Sequence, residues 1–476
     1  MSRRVVFVLG IAAAIVLGTM LRLHTRAAAA AGDRVHPLDS DSAYHMRRAR
    51  FAAERFPRTI LFDPLMNFPE GGVAIWPPLF DLALALPARL VHGTAATAGE
   101  VERGAAGVPV AFAAGSIALA GLLAARLYGR AAGTATALFL ALCPGHVLWS
   151  QYAHTDQHAA ESFVGLLALL LFVRSREDPD APGAAAREAA AGAALAIAVA
   201  TWQGAIYWGA IFALALVLEA LLTGRATLRA ALWTLGLPAA ATAASTAAWL
   251  GWLSPPLTYV SFGFFQPLFL AALAGGVAAL ELLLLDARGR LARREALLGA
   301  AVLVLSAAAT LPFVRPLAAG LVHGMGYVAG ATSEVAGSGG YVSYPKGWLS
   351  GIYEAQPLLS GGPGLALEQL SLGLFLAPLA VLAWAARAAR QRSGAALSLA
   401  IWGAVTLFLA LSQRLNVYYA APLCALALVE TARFVGARTD RPVLASVLAV
   451  ALAAPMLTGL RRELSQVTVP GSDLFS

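Results

Sequence analysis

Long apolar segments alternate with shorter polar ones along almost the whole chain. The apolar segments are about 20 residues long, which is enough for an α-helix to cross a bilayer. They are solidly apolar and do not alternate with polar residues, as membrane-spanning strands would. The pattern therefore predicts an all-α polytopic membrane protein with about 13 transmembrane helices.

The predicted spans share this apolar length and have polar residues at both ends. They cover residues 5–23, 105–125, 131–149, 159–173, 189–201, 205–222, 230–250, 259–285, 296–313, 367–386, 395–411, 417–432 and 443–460. The first is longer than the apolar core of a signal peptide, which is the alternative, so we expect it to be retained. The shorter, proline-interrupted piece at 79–90 is predicted to lie at the membrane interface.

These spans predict one transmembrane domain over residues 1–460. It has two long polar loops, at about 24–104 and 315–366, and a short tail at 461–476 with no soluble domain. Composition agrees with a membrane domain, because 59% of the 476 residues are hydrophobic and only 13% are charged. A soluble protein of this size would need more charge to cover its surface.

Charge indicates the orientation of the helices. The formal net charge of +8 would favour a nucleic-acid partner in a soluble protein, but here arginines flank membrane spans, so no nucleic-acid partner is predicted. Threading the spans from a cytoplasmic N-terminus places 19 of the 34 basic residues on the cytoplasmic side. We therefore expect an integral protein of a bacterial or archaeal cell membrane whose two long loops are extracytoplasmic. The two cysteines lie in apolar runs, which indicates neither a disulfide framework nor a cysteine zinc site.

The first candidate residues lie early in the first loop. Asp41 is followed by Tyr44 and Arg47, and the segment continues at helix-like spacing. Asp41 also stands where the N-cap of that helix would be, so helix capping is the alternative role for its carboxylate.

A second group of ionisable residues stands between two apolar runs. Asp156, His158 and Glu161 lie within six positions, where charged groups are costly unless something binds them. Mg²⁺ and Mn²⁺ prefer carboxylate oxygens, and Mn²⁺ also accepts imidazole. We therefore predict Asp156 and His158 as ligands of Mn²⁺ or Mg²⁺, with Glu161 as a further candidate. The alternative is a polar loop in which Asp156 caps the next helix.

The second long loop and the start of a late span supply the last candidates. Glu354 and Gln356 lie in about 50 polar, glycine-rich residues, a composition typical of a mobile lid. Glu334 in the same loop is a competing acid. Arg414 opens a span on the outer side, beside Tyr418, where an arginine suits a phosphate group. Interfacial anchoring is the alternative for Arg414.

Five segments, in this order, resemble motifs of the catalytic subunits of oligosaccharyltransferases. They are Asp41-Ser42-Ala43-Tyr44-His45-Met46-Arg47, Asp156-Gln157-His158-Ala159-Ala160-Glu161, Trp202-Gln203-Gly204, Gly351-Ile352-Tyr353-Glu354-Ala355-Gln356-Pro357 and Arg414-Leu415-Asn416-Val417-Tyr418. The first is similar to the family's Asp-x-x-Tyr-His-x-Arg motif and the second to its Asp-His-His-Val-Ala-Glu variant. The resemblance covers nearly the whole chain and implies the family's GT-C fold with thirteen helices.

The resemblance implies an activity and a set of roles. The activity would be a metal-dependent, inverting transfer of an oligosaccharide from a polyprenyl-diphosphate carrier to an asparagine of an acceptor polypeptide. Asp41, Asp156 and Glu354 would serve catalysis and, with His158, the metal. The residues that would contact the diphosphate or the acceptor are Arg414, Tyr418, Glu354, Gln356, Tyr44 and Arg47.

One motif of the family, Trp-Trp-Asp-Tyr-Gly, is not found in this sequence. In the family it grips the acceptor and belongs to a soluble C-terminal domain, so an accessory subunit is one way to supply acceptor recognition here. A GT-C transferase that uses a polyprenyl-monophosphate sugar with a lipid or glycan acceptor is the alternative. A transporter or a scaffold is less favoured, because a transporter would place its ionisable residues near mid-bilayer on broken helices.

Overall fold

The computed structural model describes residues 2–465, except 252, 254, 256, 329–333, 338–339, 344–350 and 440–441. The described part is mainly helical. The helices are α1 Arg3–Arg22, α2 Arg26–Ala29, α3 Ser40–Arg55, α4 Leu79–His92, α5 Ala98–Tyr128, α6 Arg130–Leu142, α7 Pro144–Val147, α8 His158–Glu177, α9 Ala184–Thr201, α10 Ile206–Thr223, α11 Leu228–Ala231, α12 Leu237–Leu250, α13 Phe265–Ala287, α14 Arg293–Thr310, α15 Val314–Val328, α16 Pro363–Leu370, α17 Gly373–Gln391, α18 Gly394–Ser412, α19 Val417–Thr439, α20 Pro442–Ala453 and α21 Pro455–Ser465. Three antiparallel hairpins pair β1 Ala30–Ala31 with β2 Arg34–Val35, β3 Phe62–Asp63 with β4 Gly72–Val73, and β5 Glu334–Gly337 with β6 Gly340–Ser343.

The predicted spans coincide with helices. Within the described residues, 10 helices are long and apolar enough to cross a membrane, or 11 if the bent pair Arg130–Leu142 and Pro144–Ser150 forms one span. The two remaining predicted spans are also helical: α11 continues through a π-helical turn into α12, and α20 has 12 residues. The prediction of an all-α polytopic membrane fold is confirmed.

Several predicted boundaries differ from the structure; the span predicted at 367–386, for example, is divided between α16 and α17. A 3-10 turn at Leu311–Phe313 joins α14 to α15, so helix extends to Val328 where a loop from residue 315 was predicted. Pro312 lies in the first positions of that turn, where the missing N–H of a proline costs little. The last predicted span, 443–460, ends at Ala453, and α21 is a separate helix whose Arg462 pairs with Glu368 on α16 at 3.1 Å.

Helix α8 lies at the centre of the bundle. Among the spans, α8 is 78% buried, whereas α1 is 11% buried and lies at the periphery. Helix α8 packs on α5, α9 and α18. Its N-terminus is His158, so the polar stretch that precedes it lies at the heart of the bundle, at one end.

The first loop is a packed structure of its own. Helices α3 and α4 form a pair that packs on α5, with a shared core that includes Ala49, Phe80 and Ala105. This core also contains Tyr152 and Ala153, and the amide of Leu38 donates to the carbonyl of Ala153 at 3.2 Å. The loop is thereby fixed against the segment that leads into α8.

Candidate active site

The segment before α8 is tied to α3 by two contacts. Thr155 Oγ1 donates to the carbonyl oxygen of Ser42 at 2.8 Å, and His154 Nε2 lies 3.3 Å from Asp39 Oδ2. These contacts bring the first two acidic segments together at one end of the bundle.

The N-cap of α3 is Asp39, not Asp41. Asp39 Oδ1 accepts from the backbone N–H of Ser42 at 2.6 Å, and Asp39 Oδ2 accepts from the Ser42 hydroxyl at 2.9 Å. The capping alternative for Asp41 is therefore wrong. The Asp41 side chain is exposed in the first turn of α3, and it makes no hydrogen bond or ion pair with any residue that the structure describes. Its carboxylate is available to a ligand.

Asp156 and His158 contact one another. His158 Nε2 lies 3.0 Å from Asp156 Oδ2, and His158 Nδ1 lies 3.5 Å from Glu161 Oε1. Burial alone would raise the pKa of Asp156, but the neighbouring His158 and, to a smaller extent, His45 and His154 hold it below its ordinary value. Asp156 Oδ1 accepts from the N–H of Gln157 at 2.7 Å, whereas α8 has no side-chain cap, so the capping alternative for Asp156 is also wrong.

Glu161 connects α8 to α19. Its Oε2 accepts a hydrogen bond from Tyr418 Oη at 2.5 Å and another from Tyr419 Oη. The Tyr418 ring also lies 4.8 Å from the His158 ring, centroid to centroid. Both tyrosines are nearly fully buried, so their hydroxyls hold the start of α19 against the site. We infer that Tyr418 acts on the site through this packing.

Glu354 interacts electrostatically with the same acids. It lies in the 3-10 turn Tyr353–Ala355, with an exposed side chain. Partial desolvation raises the pKa of Glu354, and the negative charges of Asp156, Asp41 and Asp39 raise it further against the opposing effect of His158. Desolvation and the charges of Asp156 and Asp39 likewise raise the pKa of Asp41. The carboxylates of Asp41, Asp156 and Glu354, from three separate segments, therefore influence the pKa values of one another. We refer to these three acids as the acidic cluster.

The Glu354 segment is attached to the turn before α19. The backbone N–H of Arg414 donates to the carbonyl of Gln356 at 2.8 Å, and that of Leu358 donates to the carbonyl of Leu411 at 3.3 Å. Arg414 Nη2 donates to Ser360 Oγ at 2.9 Å. The Arg414 guanidinium is thus held against the residues that follow Glu354. Among the glycines that predicted a lid, Gly339 and Gly347 lie outside the described residues, and the side chain of Glu334 is not described. The lid stays a prediction.

Tyr44 and Arg47 lie on the side of α3 that faces the β3–β4 hairpin. The two terminal nitrogens of Arg47 donate to the Asp63 carboxylate at 2.6 and 3.0 Å. This bidentate pair outweighs burial and lowers the pKa of Asp63. The Tyr44 ring packs on Trp76 at 5.3 Å, and burial raises the pKa of its hydroxyl to about 12. Their predicted contact with substrate stays a prediction.

The Trp202-Gln203-Gly204 turn supports the tyrosine pair. The Trp202 ring folds over Gly204 so closely that a Cβ at that position would have no room, and the same ring packs 6.3 Å from that of Tyr419. Gln203 Nε2 donates to the carbonyl of Val260 at 2.7 Å, which holds the next outer connection in place.

Sequence reasoning missed a buried polar chain behind the site. His45 Nδ1 lies 2.7 Å from Asp81 Oδ1, and Arg48 Nη1 lies 2.9 Å from Asp81 Oδ2, with all three side chains fully buried. His45 Nε2 lies 3.0 Å from Gln157 Oε1, next to Asp156. His45 and Arg48 are on one face of α3 at i, i+3 spacing, which is a detectable signal. Asp81 is more than 30 positions away, and nothing in the sequence pairs it with them.

A divalent metal suits the chemistry of this donor set. The carboxylates of Asp41, Asp156 and Glu354 repel one another, and a dication would relieve that repulsion. Among the residues that the structure describes, no three His, Cys, Asp or Glu side chains are grouped closely enough to hold one ion, and His158 Nε2 faces Asp156. The metal role of Asp41, Asp156, His158 and Glu354 stays a prediction.

The fold and the site define a class of polytopic membrane protein also known from archaea. The structure is similar to archaeal oligosaccharyltransferase AglB from Archaeoglobus fulgidus in complex with an inhibitory peptide and a dolichol-phosphate, with a TM-score of 0.78 and 20% identity over 98% of this chain and 56% of that one. The apo form of the A. fulgidus enzyme gives a TM-score of 0.78 at 19% identity, over 98% of this chain and 57% of that one.

The family follows from the sequence. The model of the family described as Oligosaccharyl transferase STT3, N-terminal, matches residues 6–306, and the chain therefore belongs to the STT3 family. The curated relative is the dolichyl-monophosphooligosaccharide–protein glycotransferase AglB of Haloferax volcanii, 30% identical over 198 residues, which are 38% of this chain and 19% of that protein. The chain spans little more than half the length of the solved relatives and a smaller share of the curated one. The resemblance stated from the five motifs is confirmed.

Proposed function

We propose that this chain transfers an oligosaccharide from a polyprenyl-diphosphate carrier to an asparagine of an acceptor polypeptide, in a metal-dependent, inverting reaction on the extracytoplasmic face. The observations that support the proposal are the contacts that tie the Asp41 and Asp156 segments together before α8, the effect of both charges on Glu354, and the hydrogen bonds of Arg414 to the Glu354 segment. These residues come from four of the five motifs that the chain shares with oligosaccharyltransferases.

The three acids would have different roles in the reaction because their surroundings differ. Asp41 has an accessible carboxylate, which suits it to accept a hydrogen bond from the acceptor amide and so raise the nucleophilicity of its nitrogen. The raised pKa of Glu354 makes its carboxylate a better proton acceptor than an ordinary one. Asp156 is buried and is oriented by Gln157 and His158.

The leaving group needs positive charge. Arg414 is hydrogen-bonded to the segment that follows Glu354, and its guanidinium would contact the phosphate of the carrier. A divalent ion held by Asp41, Asp156, His158 and Glu354 would neutralise negative charge that develops on the leaving phosphate. Gln356 is attached to Arg414 through its backbone, which couples the Glu354 segment to the phosphate position.

The acceptor is the part of the reaction that this chain accounts for least. The Trp-Trp-Asp-Tyr-Gly motif is not found in this sequence, and we propose that an accessory subunit contributes to acceptor binding. The A. fulgidus relative was solved with an inhibitory peptide, and another structure of it is tethered with an acceptor peptide containing the NVT sequon.

The test is a transfer assay with purified protein in lipid nanodiscs. The assay contains Mn²⁺, a polyprenyl-diphosphate-linked oligosaccharide and a labelled peptide with an Asn-x-Thr sequon. A peptide with Gln-x-Thr in place of the sequon is the matched control. We expect glycopeptide by mass spectrometry from the first peptide alone, and its loss in Asp156→Asn and Glu354→Gln. Wild-type rates in both variants would contradict the proposed site.

A monophosphate carrier is the second candidate. It is favoured by the name of the H. volcanii relative, a dolichyl-monophosphooligosaccharide–protein glycotransferase, and by the dolichol-phosphate in the A. fulgidus complex. The same assay with matched mono- and diphosphate carriers of one glycan and one lipid separates the candidates. Appearance of the glycan on lipid or on another glycan, with none on the peptide, would replace both by a different acceptor class.

A further inference from the structure

A polar pocket lies at the end of the bundle opposite the acidic cluster. It is formed where α10, α13 and α17 end, and the charge distribution predicts that this face is cytoplasmic. The pocket is about 420 Å³ and is lined by Leu221, Leu222, Thr223, Gly224, Arg288, Arg290 and Arg392. Three connections that are distant in sequence each contribute, so the pocket is a product of the fold.

Two of the arginines approach each other closely. A Cβ placed on Gly224 would lie 3.2 Å from Arg288 Nη1 and 3.2 Å from Arg290 Nη1. Gly224 ends α10 in the left-handed region, with φ +70°, where a glycine is favoured and leaves the space between the guanidinium groups empty. Arg392 ends α17, also in the left-handed region, with φ +49°.

Helix capping accounts for only one of the three. Arg288 Nη1 donates to the carbonyl of Ala220 at 3.1 Å and Nη2 to that of Leu221 at 3.3 Å, so Arg288 caps the C-terminus of α10. Arg290 and Arg392 have no carboxylate within ion-pair distance in the described part of the chain. Guanidinium groups gathered without a counter-charge repel one another, and a bound anion would remove that repulsion.

We propose that this pocket binds a phosphate group, presented by an anionic phospholipid headgroup or by soluble phosphate. Guanidinium groups match phosphate oxygens in a bidentate geometry, and basic pockets between the cytoplasmic ends of membrane helices recognise anionic headgroups. The pocket shares no residue with the acidic cluster, so the proposal does not depend on the transfer reaction.

The test uses full-length protein purified in detergent, and two double variants. Arg290→Gln with Arg392→Gln removes two charges from the pocket and leaves the cap of α10 intact. Arg294→Gln with Arg390→Gln removes two charges from the same connections, from residues that do not line the pocket. Native mass spectrometry measures retention of phosphatidylglycerol against phosphatidylcholine, and thermal unfolding is compared in inorganic phosphate and in chloride at equal ionic strength.

We expect wild type and the control variant to retain phosphatidylglycerol over phosphatidylcholine, and the pocket variant to lose about tenfold or more of that preference, as expected for charge-assisted hydrogen bonds. Arginine-dependent stabilisation by inorganic phosphate as well would assign soluble phosphate as a ligand, whereas an effect of the phospholipid alone would assign the membrane. Equal retention of the two lipids by wild type without phosphate stabilisation, or equal behaviour of the two variants, would overturn the proposal. The lipid comparison on wild type decides the case if the pocket variant does not fold.

Discussion

Charged residues surround both ends of α8, but they are balanced at one end and mainly acidic at the other. At its C-terminal end, Arg176 lies 3.0 Å from Glu188 and 3.1 Å from Glu219, and Arg229 lies 2.8 Å from Glu188. Two bases therefore balance two acids, and each of the four has a partner.

At the N-terminal end the acids are in excess. Asp39, Asp41, Asp156 and Glu354 share one region, where His158 and His154 are the neighbouring bases and Asp41 has no partner among the described residues. In a balanced network every charge has a partner, so breaking it destabilises the fold, whereas an acidic excess with an accessible carboxylate is typical of a site that binds a cation or a hydrogen-bond donor. We therefore expect substitutions at the two ends of α8 to have different effects.

The largest effect on stability is expected at the C-terminal end of α8, where acids and bases are balanced. Glu188→Gln removes the charge that Arg176 and Arg229 share, and we expect a loss of about 1.5–3 kcal/mol in the free energy of unfolding, as for hydrogen bonds to charged groups, because Arg176 keeps Glu219 as a partner and Arg229 is partly exposed. Transfer per folded molecule should stay at the wild-type value. Reversible unfolding in mixed micelles measures the loss, with Glu177→Gln as the control, because its pair with Arg126 is more exposed and contributes about 1 kcal/mol or less. Equal losses in the two variants would contradict the structural role.

Asp41→Asn is the matching change at the N-terminal end of α8, where acids are in excess. It keeps the shape of the side chain and removes the charge, so we expect transfer to fall about 10²–10³-fold, as for loss of a group aimed at the reacting atoms. The melting temperature should hardly change, because the Asp41 carboxylate has no partner in the described structure. Asp33→Asn, an exposed acid of the same loop, is the control and should retain full activity. A large loss of stability in Asp41→Asn would instead indicate a structural role.

Metal addition should distinguish the two ends without any assay of transfer. If Mn²⁺ binds the folded protein and not the unfolded one, it raises the free energy of unfolding by about 2.7 kcal/mol at a concentration 100 times its Kd. We expect the rise in melting temperature to disappear in Asp156→Asn and to remain in Glu177→Gln. A rise of equal size in both variants, or none in wild type, would contradict the metal role of the acidic cluster.

The smallest effect is expected from Gln157→Ala. This change removes the contact between His45 and the segment of Asp156, while His158 still holds the Asp156 carboxylate. We expect about a tenfold lower kcat, equivalent to about 1.4 kcal/mol in the barrier, with the KM for the acceptor nearly unchanged. Gln157→Glu keeps an oxygen facing His45 and should recover part of the rate. A change confined to stability would limit Gln157 to a packing role.

Apolar length and charge were enough to predict the thirteen helical segments, because a bilayer span imposes a minimum length on each. Local patterns could not decide between Asp39 and Asp41 as the cap of α3, since both positions of Asp39-Ser40-Asp41-Ser42 are compatible with a helix start. The extension of α14 into α15 was missed because Arg315 and two prolines are typical of a loop. The pairing of Asp81 with His45 depends on how α4 packs on α3, which no local pattern records.

The double contact of Glu161 has a consequence for the angle at which α19 is set. Tyr418 and Tyr419 are adjacent, so their side chains leave the helix about 100° apart, yet both hydroxyls meet one carboxylate. Only one rotation of α19 about its own axis satisfies both, and this fixes where the preceding 3-10 turn, Arg414–Asn416, joins the helix. Inserting a single residue between Arg414 and Tyr418 would change this junction while leaving every side chain of the site present. The spacing of this segment is therefore as much a part of the site as the residues themselves.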